Sequence, residues 1–226
     1  MKKSPMQRNI GSFFCLSLLL VNLLGCTAIS AEELDIAVCD PARGQFSPEI
    51  TNPYFPYSDG KTRTLEGGNE KVEMKMLPQT ETVAGVVTSV LEERESTNGI
   101  LVEVSRNYHA QAPDGTVCYF GEAVDDYDGT GKIVGHNGAW RADEGQNKPG
   151  IIMPARPMVG QVYKQEVAPG VAEDKAEHVA IEQAFVTPAG TFQNVLFVQE
   201  TPPSTKRYHP GTGLIFDDGM VLTKIE

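Results

Sequence analysis

The sequence has little of what usually marks chemistry by spacing. Its four cysteines form no Cys-x-x-Cys pair, which excludes a zinc ribbon and a thioredoxin-type redox centre. His-Glu-x-x-His, His-x-His, Gly-x-Ser-x-Gly, Walker A and Gly-x-Gly-x-x-Gly are all missing, so no metalloprotease, serine hydrolase or nucleotide fingerprint is present. Positive charge is scarce: 19 Lys and Arg stand against 30 Asp and Glu, a formal charge of −11. Such a chain repels phosphate backbones, and nucleic acid is not expected as a partner. No apolar run after residue 25 is long enough to span a membrane. A self-similar period of 20–50 residues is also lacking, which argues against propellers and solenoids.

What is present begins with an export signal. Lys2, Lys3 and Arg8 precede an apolar segment from Ile10 to Leu24, the length of a signal-peptide h-region and short for a membrane span. It ends in Leu23-Leu24-Gly25-Cys26, which resembles the bacterial lipobox, with Cys26 as the residue that is diacylated and becomes the new N-terminus. The alternative is cleavage after Ala28-Ile29-Ser30, giving a soluble periplasmic or secreted protein. The expected organisation is a lipoprotein-type signal peptide (1–25), an extended tether (26–51) and a β-rich domain (52–226), lipid-anchored in a bacterial cell envelope. Cys15 leaves with the signal, and Cys26 is the lipid site. Cys39 and Cys118 remain, and an exported compartment permits them to pair.

Strand-like runs separated by turn chemistry fill the rest. Glycine or proline turns fall at Gly67-Gly68-Asn69, Asn98-Gly99, Pro113-Asp114-Gly115, Asp128-Gly129 and Asp217-Asp218-Gly219. Ile100–Gln111 alternates, with Val102, Val104, Arg106 and Tyr108 on one face and Glu103, Ser105, Asn107 and His109 on the other. The polar face reads as the solvated one. Val195–Val198 is continuously apolar and reads as buried on both faces. Ala172–Ala176 reads as one helical turn. Ala142–Gly160, with Pro149, Pro154 and Pro157, reads as a cover lying across the sheet rather than as a central strand. The fold class is therefore all-β: a single antiparallel curved sheet or half-open barrel of about ten to twelve short strands with a Pro-rich cover loop.

Candidate chemical groups are sparse. Asp125, Asp126 and Asp128 suggest Ca²⁺, but an EF-hand loop from Asp126 would place Asn137 where Glu is needed, and a solvated turn is the better reading. Asp174, Glu177 and His178 are weak metal candidates: Asp174 and His178 are i, i+4 neighbours only on a helical turn. No third group is fixed by spacing, and no cofactor is implied. Trp140 reads as a core anchor or as a ligand-stacking residue. Ile151, Ile152 and Met153 are too apolar to lie free in the cover, and with Trp140 they form the candidate ligand-binding set.

Asn52-Pro-Tyr-Phe-Pro56, Tyr119-Phe-Gly-Glu122, Pro149-Gly-Ile-Ile-Met-Pro154, Gly170-Val-Ala-Glu-Asp174 and Tyr208-His-Pro-Gly-Thr-Gly-Leu-Ile215 resemble an exported, uncharacterised bacterial family of β-rich, lipoprotein-like envelope proteins. The resemblance runs from Asn52 to the C-terminus, and departs from the family where Thr62-Arg63-Thr64-Leu65 replaces an aromatic first strand. It implies location and a β-rich domain, with no catalytic residues to carry over. The expected function is non-catalytic, with binding of an apolar or amphipathic small molecule or a partner segment beneath the cover. Two alternatives stand beside it: a hydrolase or metal-dependent enzyme whose acids converge from several strands, and a purely structural or protein-interaction module.

Overall fold

The computed structural model describes residues 31–226. Cys26 and both expected cleavage points lie outside the described residues. Sixteen strands form one sheet there, and turn chemistry sets most of their boundaries. β1 (Glu32–Glu33) precedes one-turn 3-10 helices at Ile36–Cys39, Pro41–Arg43 and Tyr57–Asp59. β2 (Thr62–Gly67) turns at Gly68, with φ of 61°, into β3 (Glu70–Val83). Ala84 and Gly85 link β3 to β4 (Val86–Thr97), and Asn98 and Gly99 link β4 to β5 (Ile100–Gln111). Asn98 and Gly99 have φ of 54° and 75°, the two positive values that a type I′ hairpin requires.

β6 (Val117–Tyr127) carries the short strands β7 (Ile133–Gly135) and β8 (Trp140–Arg141) along its length, then pairs with β9 (Lys148–Met153). β10 (Gln161–Lys164) and β11 (Glu166–Val167) follow, separated by Gln165 alone. The chain closes with β12 (Lys175–Thr187), β13 (Gly190–Thr201), β14 (Ser204–His209), β15 (Gly213–Asp217) and β16 (Met220–Ile225). The order is β1-β10-β12-β13-β14-β15-β16-β2-β3-β4-β5-β6-β9-β11, and the sheet is open. All pairings are antiparallel except β1 with β10. The sheet curls enough for side chains of β14 and β15 to line one cavity with those of β4, β5 and β6.

Sixteen strands exceed the expected ten to twelve because strands as short as β1, β8 and β11 leave no alternation to read. The cover also differs from expectation. Its Lys148–Met153 is β9, paired with β6 on one side and β11 on the other. Pro149 is tolerated because it sits opposite Glu166 of the two-residue β11, where the sheet ends. Ile151 and Met153 are buried in the main core, and Ile152 points to the other face, half-buried. Ala172–Ala176 forms no helical turn: Ala172 bridges Ala168, and β12 begins at Lys175. Five residues of modest helix propensity cannot outweigh ladder hydrogen bonds. Val195, Leu196 and Val198 are buried and Phe197 half-buried, as their continuous apolarity predicts.

Two side chains tie the segment before β2 to the sheet. Asn52 donates through Nδ2 to the carbonyls of Gly115 and Pro154, both at 3.0 Å. Arg63 is fully buried, and its guanidinium donates to Thr212 O (2.7 Å), Pro56 O (2.9 Å) and both Asp59 carboxylate oxygens (3.1 and 2.9 Å). Phe55 and Tyr57 are thereby held in the core.

Cys39 and Cys118 form a disulfide with Cα atoms 5.6 Å apart. It fixes the 3-10 helix Ile36–Cys39 to β6 across 79 residues of sequence. A loop of that length constrains the unfolded chain by about 4.5 kcal/mol in the chain-entropy model. The double replacement of Cys39 and Cys118 by Ser is expected to lower unfolding stability by about 2–5 kcal/mol in urea titrations. An unchanged midpoint and slope would show that the link carries no stability.

Candidate functional site

The alternation of β5 is as the sequence suggests, but its polar face is turned inward. Ser105, Asn107 and His109 are buried, His109 to 3% exposure, where a solvated histidine was expected. The ladder explains this. Glu93 lies opposite Ser105, Leu91 opposite Asn107, and His109 opposite Tyr119. The curl of the sheet puts this face on its concave side, opposite β14 and β15. There Lys206 pairs with Asp217, and Tyr208 with Leu214.

Between them is a cavity of about 150 Å³. Its apolar lining is Phe55, Met74, Leu91, Ile152 and Leu214, joined by the rings of Tyr57, Tyr119 and Tyr208, with Met74 paired to Glu93 and Leu91 to Asn107 across the ladder. The polar wall is Glu93, Asn107, His109, Lys206 and Asp217. Aromatic packing orients several of these groups. His109 stacks on Tyr119 at 5.0 Å, and its other side meets Phe55 at 4.8 Å. Tyr119 meets Trp140 edge-on at 5.3 Å. The Tyr119 hydroxyl donates to Asn107 Oδ1 at 2.6 Å, and Asn107 Nδ2 donates to Ser105 Oγ at 3.1 Å.

Electrostatics in this interior are dominated by enclosed acids. Burial raises Glu93 from an ordinary 4.5 to about 8, against the pull of Lys206 and with the repulsion of Asp217, Glu95 and Glu122. Glu93 remains partly accessible because it lines the cavity. Burial likewise raises Glu122 and Glu103 to about 7, and Glu166, at the sheet end, to about 8. Burial opposes the Lys206 ammonium, yet Asp217 at 2.7 Å and Glu200 at 3.6 Å outweigh it and hold its pKa above the usual lysine value. Burial pushes His109 down to about 3, so it is a neutral imidazole, and its Nδ1 has no hydrogen-bond partner among the described residues.

The sequence candidates fall as follows. Ile152 lines the cavity, whereas Ile151 and Met153 pack into the core on the opposite face. Trp140 is buried with Tyr119 and Ala168 in a smaller cluster behind the cavity wall. Asp174, Glu177 and His178 are not gathered. Glu177 is exposed and His178 buried on opposite faces of β12, and His178 Nε2 lies 2.9 Å from Tyr163 Oη. No group of three His, Cys, Asp or Glu side chains converges as a metal site among the described residues. Asp128 accepts from Thr130 N, Thr130 Oγ1 and Lys132 N, which makes it the organiser of its own turn. Glu93, Lys206, Tyr208 and Asp217 were not foreseen. They lie in or beside runs of consecutive polar residues, which read equally well as solvent-exposed.

No protein-family model, curated protein or solved structure matches this chain. The site is therefore read from its own chemistry. One enclosed carboxyl without a protein partner, one lysine held by a carboxylate and a ring-lined apolar wall suit a small molecule with a polar and an apolar end.

The raised acids set a pH dependence. Each of Glu93, Glu103, Glu122 and Glu166 stabilises the fold fully below its ordinary value, and that contribution is lost as pH rises through 7 to 8. His109 and His178, lowered to about 3 and about 4, act oppositely, and their contribution is lost only as pH falls below the ordinary histidine value. The melting temperature is expected to drop by roughly 5 °C or more between pH 6 and pH 9, and Glu93→Gln should flatten part of that slope. A level profile in differential scanning calorimetry would refute the buried-acid account.

Proposed function

We propose that this is a lipid-anchored, non-catalytic domain of a bacterial cell envelope, whose half-open barrel binds a small amphipathic molecule on its concave side. The observation that supports this reading is the cavity, whose lining includes Ile152 and combines apolar with charged side chains. A cavity of this size accommodates about six heavy atoms, too few for a polymer segment, so a small molecule or a short terminal group is the occupant. A purely structural module would fill such a space with side chains, since unfilled core volume is destabilising.

The enclosed acids give the hydrolase reading its one support, because a carboxyl raised to about 8 is of the kind used as a general acid. Two features weigh against it. Glu93 has no hydrogen-bonded partner to act with it, and the neighbouring lysine is already bound to Asp217. Export and anchoring rest on Lys2, Lys3, the apolar run and Cys26.

Binding is tested by titrating n-butanol into the isotope-labelled protein and following amide shifts. The expected response is concentrated at Leu91, Asn107 and Ile152. Ile152→Asp, which sets a charge on the apolar wall, should weaken it by about fivefold or more while the fold persists. Wild-type protein without any localised shift would remove the binding reading. Anchoring is tested separately by mass spectrometry of the mature N-terminus. A diacylated cysteine at position 26 is expected, and a free N-terminus at Ala31 would disprove it.

A further inference from the structure

The polar wall of the cavity is not balanced within the protein. Among the described residues Lys206 is the only cation lining it, and Asp217 takes that charge at 2.7 Å, with Glu200 at 3.6 Å on the far side. Glu93 makes no hydrogen bond among the described residues; Lys206 attracts it, but its other charged neighbours, Asp217, Glu95 and Glu122, are acids. Two of the donors nearby are committed: the Tyr119 hydroxyl to Asn107, and the Asn107 amide to Ser105 and the Leu91 carbonyl. Independently of the acids, His109 on the same wall is 97% buried, at 3% exposure, and one of its ring nitrogens has no partner. The open imidazole nitrogen of His109 donates or accepts according to its tautomer. The acids around Glu93 outnumber the one lysine, and that excess calls for a cationic ligand.

We propose, building on the amphipathic-binding reading above, that the ligand is a small organic ammonium ion. Its nitrogen lies against the Glu93 carboxylate, and its carbon chain lies against Phe55, Met74, Leu91 and Leu214. The chemistry favours this over other small molecules. An enclosed carboxyl is costly unless it gains an opposite charge, and an ammonium supplies that charge together with three donors. A carboxylate or phosphate would meet Glu93 and Asp217 as like charges. A bare metal ion would face carbon on most of the wall. Burial that holds the Glu93 carboxyl neutral is consistent with a site where the partner charge comes from outside the protein.

The test compares three probes of nearly equal size, n-butylammonium, n-butanol and butanoate, by isothermal titration calorimetry on the wild-type mature domain. The ammonium is expected to bind about tenfold tighter than the alcohol or better, and butanoate more weakly than both. In Glu93→Gln the ammonium should lose its roughly tenfold advantage over the alcohol. Equal affinity of alcohol and ammonium for the wild type overturns the cationic ligand and leaves the amphipathic reading standing. Failure of both to bind overturns the two together. Ammonium binding that survives Glu93→Gln in a protein with a normal melting curve places the cation elsewhere and overturns the proposal. If that variant does not fold, the wild-type ranking of the three probes still decides.

Discussion

The concave side of the sheet depends on one ammonium group. Lys206 reaches Asp217 on one neighbouring strand, β15, and Glu200 on the other, β13, and it lowers the cost of Glu93 across the cavity. Without that charge, β4, β13 and β15 would bring Glu93, Glu200 and Asp217 together with nothing between them. The ladder fixes its position. Lys206 lies opposite Val198 on β13 and opposite Asp217 on β15, so any slip of one residue would send it to the outer face. The curl of the sheet and its interior charge balance are thus specified by the same register.

The next residue shows what the other face does. Arg207 projects outward, where its guanidinium lies over the rings of Phe185, Phe197 and Phe216 at 4.6–4.7 Å and makes a forked pair with Glu182. Three phenylalanines therefore stand on the outer face while glutamates stand on the inner one. Hydropathy alone assigns these two faces the wrong way round. A planar guanidinium resolves the outer side because it can stack on rings and still bind a carboxylate. The outer aromatics are thereby half-buried without a second layer over them.

Much of the backbone was legible in the sequence. Asn98-Gly99, Gly68 and Asp218-Gly219 turn the chain where positive φ is needed, and the Cys39–Cys118 pair follows from elimination and compartment. What was hidden has two physical causes. Strands of two or three residues have no period, so β1, β8 and β11 cannot be seen, and β9 is masked by Pro149 and Pro154. The site was hidden because it is made by curvature. Glu93 and Lys206 are more than a hundred residues apart, and each sits in a run of consecutive polar residues, Glu92–Thr97 and Ser204–Arg207, that shows no buried face. Glu103, Ser105, Asn107 and His109 were visible as a polar face, but alternation tells only that two faces differ. Which face is inside depends on how the sheet curls, and that is decided by strands far away in the chain.

The cavity acids bear on function through what they cost. A leucine at position 93 would make a more stable wall, because replacing buried charge with well-packed carbon is commonly neutral or stabilising. The same holds for His109, whose ring nitrogen is left unsatisfied beside it. Outside the cavity, Trp140 Nε1 and His178 Nδ1 also lack partners among the described residues, but the larger buried groups that tie the chain together are matched. Arg63 satisfies its guanidinium on Asp59 and two carbonyls, and Asn52 its amide on Gly115 and Pro154. A chain that satisfies its buried polar groups this fully at one place and leaves them open at another is least well explained as scaffold at the second. Local departures from packing logic concentrate where a protein binds or reacts. The departure here coincides with the space that side chains leave unfilled, and both lie on the concave wall between β5 and β14. That coincidence is why the cavity, rather than the solvent-facing turns or the outer aromatics, carries the functional reading.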